Sequence, residues 1–310
     1  MEPVVSVIVT CDYGSGKTEA WNDLRATLTA LARQDFDGPA EFLLVESTAL
    51  APQIPPDLKT ILPNLRIVVS ASSSSPKLKH DGVRAAAAEL VAMFDGDCVP
   101  DSGWLRHFVA LMREQPEVAA VSGRTMYGTR KFRDRVMALI TRSFLDEGRA
   151  APTRHFTDNN AGFRRSVLLS HPFPENAGPH MSMLQSTQII RDGGRLLFEP
   201  QLRVDHAYRG WPTEKEIRRS LGYGVIKTRL LDRGVPYAKL AHLGYLSIPL
   251  FVLLRTLHSW WNCLRRARFY NVAWYQLPVA FALATVACAM EIPGMIRAVR
   301  GEPLDKTLYR

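Results

Sequence analysis

The sequence predicts an α/β fold: a mostly parallel sheet flanked by helices, continued by helical hydrophobic segments at the C-terminal end. Three observations predict it. Short runs rich in β-branched residues stop at turn signals or acids, as buried strands do. Amphipathic or alanine-rich stretches separate those runs, giving a β-α-β-β-α-β alternation that implies parallel pairing under helices. The charge is also uneven. Residues 1–210 hold 24 Lys/Arg and 24 Asp/Glu, whereas residues 211–310 hold 15 and 6. The whole excess of +9 therefore lies in the last hundred residues.

In chain order, residues 4–10 (Val-Val-Ser-Val-Ile-Val-Thr) read as a buried first strand that closes at Thr10. A turn from Cys11 through Asp12 to Gly14 follows. Gly14-Ser15-Gly16-Lys17-Thr18 resembles a phosphate-binding loop but has Cys11 where that pattern wants its first glycine, so a polar turn is the other reading. Residues 21–33 carry Trp21, Leu24, Leu28 and Leu31 at helical spacing. Residues 41–47 form a second strand ending in Glu46 and Ser47, and residues 66–70 a third. Residues 72–76 read as a loop and residues 79–89 as a helix. The apolar run at residues 90–94 is the fourth strand. Residues 104–112 read as a helix, 118–123 as a strand, and 132–145 as a helix in a basic, irregular stretch. The Asn160 to Arg165 segment leads into helix or turn as far as Ser170. Residues 195–200 are a late strand, and Val204-Asp205-His206 end the neutral body.

The fourth strand delivers Asp95-Gly96-Asp97 to its carboxyl end. Residues two apart on a strand point the same way, and the glycine lets a ligand approach the backbone. Two carboxylates there suit Mg²⁺ or Mn²⁺ holding a diphosphate. The alternative is an Asp-Gly turn with solvated acids. Ligands of such sheets bind beyond the carboxyl ends of the strands, where Asp12, Glu46, Asp95 and Asp97 all fall.

Five pieces in order carry a family likeness: Ser6-Val7-Ile8-Val9; Phe42 to Ser47; Phe94 to Pro100 with Trp104-Leu105; Asn160 to Arg165; and Gly194 to Pro200. Over residues 4–210 the chain resembles the family 2 glycosyltransferases, enzymes of the GT-A fold. The resemblance implies transfer of a sugar from a nucleotide sugar, UDP- or GDP-linked, with inversion and a divalent metal. It implies that Asp95 and Asp97 are the metal and nucleotide pair, that Glu46 contacts the nucleoside, and that Lys79 lies near the base or phosphates. It implies a metal or phosphate contact at His206. Thr10, Asp12, Arg164 and Arg165 complete the expected nucleotide-binding set, the arginines by guanidinium pairing with phosphate. The chain departs from the family where members carry an acidic pair whose aspartate is the catalytic base, since Met181 and Ser182 stand there. Inverting transfer needs a base within reach of the acceptor hydroxyl, and Glu175, His180 and Asp158 are the candidates. A catalytically altered nucleotide-sugar-binding protein is the rival expectation.

Beyond the 1–210 catalytic domain, residues 211–239 read as a basic amphipathic helical linker and residues 240–310 as hydrophobic helices. The run at 243–254 is too short to span a bilayer. The nineteen uncharged residues 272–290, interrupted by Pro278, are borderline. Trp260-Trp261, flanking arginines and the basic excess fit a membrane surface. A buried helical pair is the alternative. Charges that flank apolar runs, rather than interleave with aromatics, do not predict nucleic-acid binding. Four scattered cysteines without a C-x-x-C favour a reducing compartment. The expected partners are a nucleotide sugar, a glycan or lipid-linked acceptor and the membrane, and the expected place is the cytoplasmic face of the cell membrane.

Overall fold

A computed structural model describes residues 2–11, 18–128, 131–175 and 177–304. The strands are β1 (Val5–Thr10), β2 (Ala40–Ser47), β3 (Leu65–Ser70), β4 (Leu90–Asp95), β5 (Cys98–Pro100), β6 (Val118–Tyr127), β7 (Ala151–Pro152), β8 (Asn160–Arg164) and β9 (Arg195–His206). They form one nine-stranded sheet in the order β3-β2-β1-β4-β8-β6-β9-β5, with β7 paired to β9. The helices are α1 (Thr18–Ala32), α2 (Leu58–Ile61), α3 (Ser75–Ala85), α4 (Trp104–Glu114), α5 (Phe132–Arg142) and α6 (Arg165–Ser170). They continue as α7 (Met181–Arg191), α8 (Trp211–Leu231), α9 (Ala238–Ala241), α10 (Ser247–Arg266), α11 (Leu277–Ala289) and α12 (Ile292–Val299).

β1 shows how the sheet is covered. Val5, Val7 and Val9 pack with Leu24 and Leu28 of α1 and with Trp104 and Phe108 of α4. Ile8 faces the opposite layer with Leu78 of α3, Phe163 and Leu184. This is the alternation of a strand buried on both faces.

The sheet is mixed, where the sequence predicts a largely parallel one. β1, β2, β3 and β4 run parallel. β8 then enters antiparallel between β4 and β6, and β5 and β7 pair antiparallel with β9. Two helix readings also change. α3 begins at Ser75, inside the expected loop, because Pro76 is tolerated in the first helical turn where its missing N–H is no loss; it ends at Ala85, short of the expected 89. α7 has no counterpart in the sequence reading, because buried Gln185 and Ser186 break its apolar period.

The C-terminal helices dock on the body. Met126, Tyr127 and Val136 share a core with Cys263, Tyr270 and Ala280. α8 crosses α12 with almost no space between backbones: a Cβ at Gly222 would lie 1.9 Å from the Glu291 carbonyl oxygen, and one at Gly294 1.8 Å from that of Arg219. Glu291, fully buried, accepts from Arg218 Nη1 at 3.2 Å and from Arg255 Nη2 at 2.7 Å. Arg218 is also bound to Glu214 at 2.7 Å. Buried charges need such partners.

Candidate active site

The direction of growth of the sheet reverses between β1 and β4, which makes the gap between their carboxyl ends the expected ligand crevice. Thr10 and Asp95 close those strands as register partners. The chain then turns at Gly96, whose N–H donates to the Thr10 carbonyl at 2.7 Å and whose carbonyl accepts from the Thr27 hydroxyl at 3.0 Å. A Cβ at Gly96 would lie 2.7 Å from Cys11 Sγ, so the turn has room only for glycine.

Asp95 and Asp97 meet different partners. Asp95 accepts from Lys79 Nζ at 3.0 Å, and the same ammonium, wholly buried, lies 3.1 Å from Asp158 Oδ2. Asp97 faces His206, with Nε2 3.6 Å from its Oδ1. The pairing Cys98↔His206 brings the end of β9 beside Asp97, and the Ala207 N–H donates to the Asp97 carbonyl at 2.9 Å. His206 Nδ1 donates to the Ala207 carbonyl at 2.8 Å, so the lone pair of the neutral ring lies on Nε2, toward Asp97. Burial pushes the His206 imidazolium pKa down, against the pull of Asp97. A neutral imidazole and a carboxylate, within 4.8 Å together with Cys98 Sγ, fit a divalent cation. Cys98 is the poor match in this set: burial and the two aspartates push its thiol up, and sulfur is a soft donor whereas Mg²⁺ and Mn²⁺ prefer oxygen.

The rim opens into a cavity of about 680 Å³. Asp95, Asp97, Tyr127, Asp158 and His206 line one end. The Tyr127 ring packs 5.8 Å from His206 and stacks on Tyr208 at 4.9 Å. Glu214 and Arg218 enter from α8, and Phe251, Leu254 and Trp261 of α10 form an apolar part of the wall.

The remaining expected residues fall as follows. Glu46, 1% exposed, closes β2 on the same rim and accepts from the Ser47 N–H at 2.6 Å. Asp12 and the loop Gly14 to Lys17 lie outside the described residues. Arg164 and Arg165 are a correction. Arg164 pairs with Leu90 at the amino end of β4, and its guanidinium donates to the carbonyls of Val118, Met112 and Gln115. Arg165 donates to those of Val83 and Arg84. Both clamp the backbone at the rim opposite Asp95. Of the three base candidates, Asp158 and His180 line the cavity, as does Ser182 at the position where the family carries its acid. Glu175 faces a separate surface groove and pairs with Lys77 at 3.4 Å. The sequence reading missed Tyr127, Arg142, His155, Glu214, Arg218 and Arg229, all in the cavity wall. Glu214 and Arg218 are spaced as a helix-surface pair, and nothing in that spacing signals burial.

Acids at the switch point, a metal-competent Asp–His pair and a cavity beside them define a nucleotide-sugar glycosyltransferase of the GT-A type. A family model described as glycosyl transferase family 2 matches residues 6–170, more than half of the chain. The chain belongs to this family. Among solved structures it is similar to a mannosyltransferase from Pyrobaculum calidifontis in complex with GDP-Man and Mn²⁺, at 18% identity and a TM-score of 0.63, covering 96% of this chain and 88% of that one. It is also similar to S. aureus TarS 1-349 in complex with UDP-GlcNAc, at 16% identity and a TM-score of 0.55, covering 99% and 96%. No curated protein matches it.

Proposed function

We propose that the protein transfers a sugar from a UDP- or GDP-linked donor to a lipid-linked or cell-envelope acceptor, by metal-assisted inverting displacement at the cytoplasmic face of a membrane. The observation that carries this reading is the Asp97–His206 pair at the switch point, opening into a cavity that ends against the C-terminal helices. The structural relatives, solved with GDP-Man and Mn²⁺ or with UDP-GlcNAc, support the donor class. Asp97 and His206 would hold the cation, which when bound neutralises charge on the departing diphosphate. Lys79 holds Asp95 in an ion pair at the rim. The acceptor oxygen attacks the anomeric carbon, the bond to the diphosphate oxygen breaks, and the hydroxyl proton goes to a base.

Asp158 is the base we assign. It is the carboxylate of the segment leading into β8 and it lines the cavity, with its Oδ2 3.1 Å from Lys79 Nζ. Asp158→Asn should lower donor turnover by about 10²–10⁴-fold, the usual worth of a general base, while nucleotide binding with Mn²⁺ is retained. Donor hydrolysis with His180→Gln run in parallel checks this: a collapse there, with Asp158→Asn active, transfers the role to His180. A catalytically altered binding protein, the reading that Met181 and Ser182 favour, predicts donor binding without turnover in the unsubstituted chain.

The C-terminal helices support a membrane seat. Leu250, Leu253, Leu257, Trp260, Trp261 and Leu264 of α10 are exposed at helical spacing, with Trp274 and Tyr275 beside them. By length and composition, one stretch among the described residues, Trp274–Val299, is long and apolar enough to cross a membrane. Its helix is interrupted between Ala289 and Ile292, where Glu291 is locked to Arg218 and Arg255 of the docked helices. A spanning arrangement would pull that carboxylate from both arginines at a cost of several kcal/mol. We therefore place this layer in the interface plane.

A further inference from the structure

The cavity wall carries two groups of charges. Asp95, Asp97, Asp158 and Glu214 are accompanied by Lys79, Arg142 and Arg218. His155, His180, Arg229, Arg255 and His258 form a second, basic group. Of these, Arg255 is bound to Glu291. Arg229, 8% exposed, has no carboxylate among the described residues; it donates to the carbonyls of Pro236 and Val225 and stacks over the Phe251 ring at 5.0 Å. His155 Nδ1 and His180 Nδ1 are buried without a hydrogen-bond partner. Arg142 Nε, Asn159 Oδ1 and Arg218 Nη2, also in the cavity wall, share that condition. Buried polar atoms without partners are costly, and the two imidazoles among them lie near a guanidinium that no acid among the described residues neutralises. The helix packing holds this arrangement closely, since a Cβ at Gly224 would lie 2.9 Å from the His180 ring.

We infer that Arg229, His155 and His180 form an anion subsite that seats a phosphate or diphosphate of the acceptor, with its hydrocarbon chain running along Phe251, Leu254 and Trp261 toward the exposed face of α10. The subsite shares no side chain with the Asp97–His206 pair or with Lys79. A guanidinium and two imidazoles provide charge-assisted donors for phosphate oxygens. The apolar wall selects an amphipathic phosphate over a free one. The assignment rests on the proposed transferase reading for the word acceptor, but not for the anion site itself.

Isothermal titration of the full chain in EDTA with dodecyl phosphate, inorganic phosphate and the uncharged detergent dodecyl maltoside tests it. Dodecyl phosphate should bind at least tenfold more tightly than either of the others. Arg229→Gln should weaken it by at least tenfold, Arg229→Lys should recover part of the loss, and UDP or GDP binding with Mn²⁺ should not change. Should Arg229→Gln fail to fold, the double variant His155→Gln/His180→Gln carries the same comparison. Equal affinity in wild type and variants overturns the subsite. Equal affinity for inorganic and dodecyl phosphate overturns the amphipathic ligand. Nucleotide binding without dodecyl phosphate binding defeats this inference alone, whereas dodecyl phosphate binding without nucleotide binding defeats the transferase reading and leaves the anion site standing.

Discussion

Asp95 and Asp97 are two residues apart, yet they do different work because their neighbours come from different parts of the chain. Lys79, on α3, takes up Asp95 and bridges it to Asp158 through one ammonium. His206, at the end of β9, takes up Asp97. The buried histidines of the cavity wall are governed by desolvation. His155 is pushed down to about 4, first by burial and then by Arg229 nearby, and His180 well below its usual value for the same reason. Both rings are neutral at pH 7. A histidine whose folded pKa is depressed contributes stability that is complete above the unfolded value near 6.5 and is lost as the pH falls toward 4. Between pH 7.5 and pH 5, His155 should therefore remove about 2 kcal/mol of unfolding free energy. Urea midpoints of the wild type and His155→Gln at both pH values measure this. The variant should show the shallower fall, and parallel curves would exclude a neutral buried imidazole at this position.

At the scale of elements, the placement of the site follows from two facts of different legibility. That Asp95 ends a strand is readable in the sequence, because the apolar run from Leu90 stops at an Asp-Gly turn. That His206 joins it is not, because the register Cys98↔His206 spans more than a hundred residues and nothing local encodes it. The direction of β8 is equally silent. Asn160 to Phe163 would suit a strand running either way, and the reversal moves Arg164 to the wrong rim for a phosphate. The basic amphipathic character of α8 is visible, but not that Gly222 and Gly224 serve close packing rather than weaken the helix. This packing makes a signed prediction. Alanine at an open helical position is stabilising by up to about 1 kcal/mol relative to glycine. At Gly222 the added methyl meets the Glu291 carbonyl, so Gly222→Ala should instead destabilise by about 1–3 kcal/mol in urea unfolding. A gain in stability would mean that α8 and α12 do not cross as tightly as described.

For the molecule as a whole, the exposed leucines and tryptophans of α10, the indole and phenol of Trp274 and Tyr275, and the basic excess beyond residue 210 define one candidate lipid-facing side. Residues of α10 and the metal pair line the same cavity, so on the proposed membrane seat an amphipathic acceptor would enter beside that helix. Leu253→Glu/Leu257→Glu should abolish co-sedimentation with vesicles containing anionic lipid while leaving the melting temperature within a few degrees, since both side chains are exposed. Undiminished sedimentation would move the membrane seat elsewhere. All of this depends on the sheet rim binding a metal and a nucleotide together. The most direct measurement is isothermal titration of UDP and GDP into the wild type and Asp97→Ala, each with and without Mn²⁺. One nucleotide should bind the wild type at least tenfold more tightly with Mn²⁺, and Asp97→Ala should lose that enhancement. Binding that is indifferent to the metal, or an enhancement that survives the substitution, would contradict the Asp97–His206 centre.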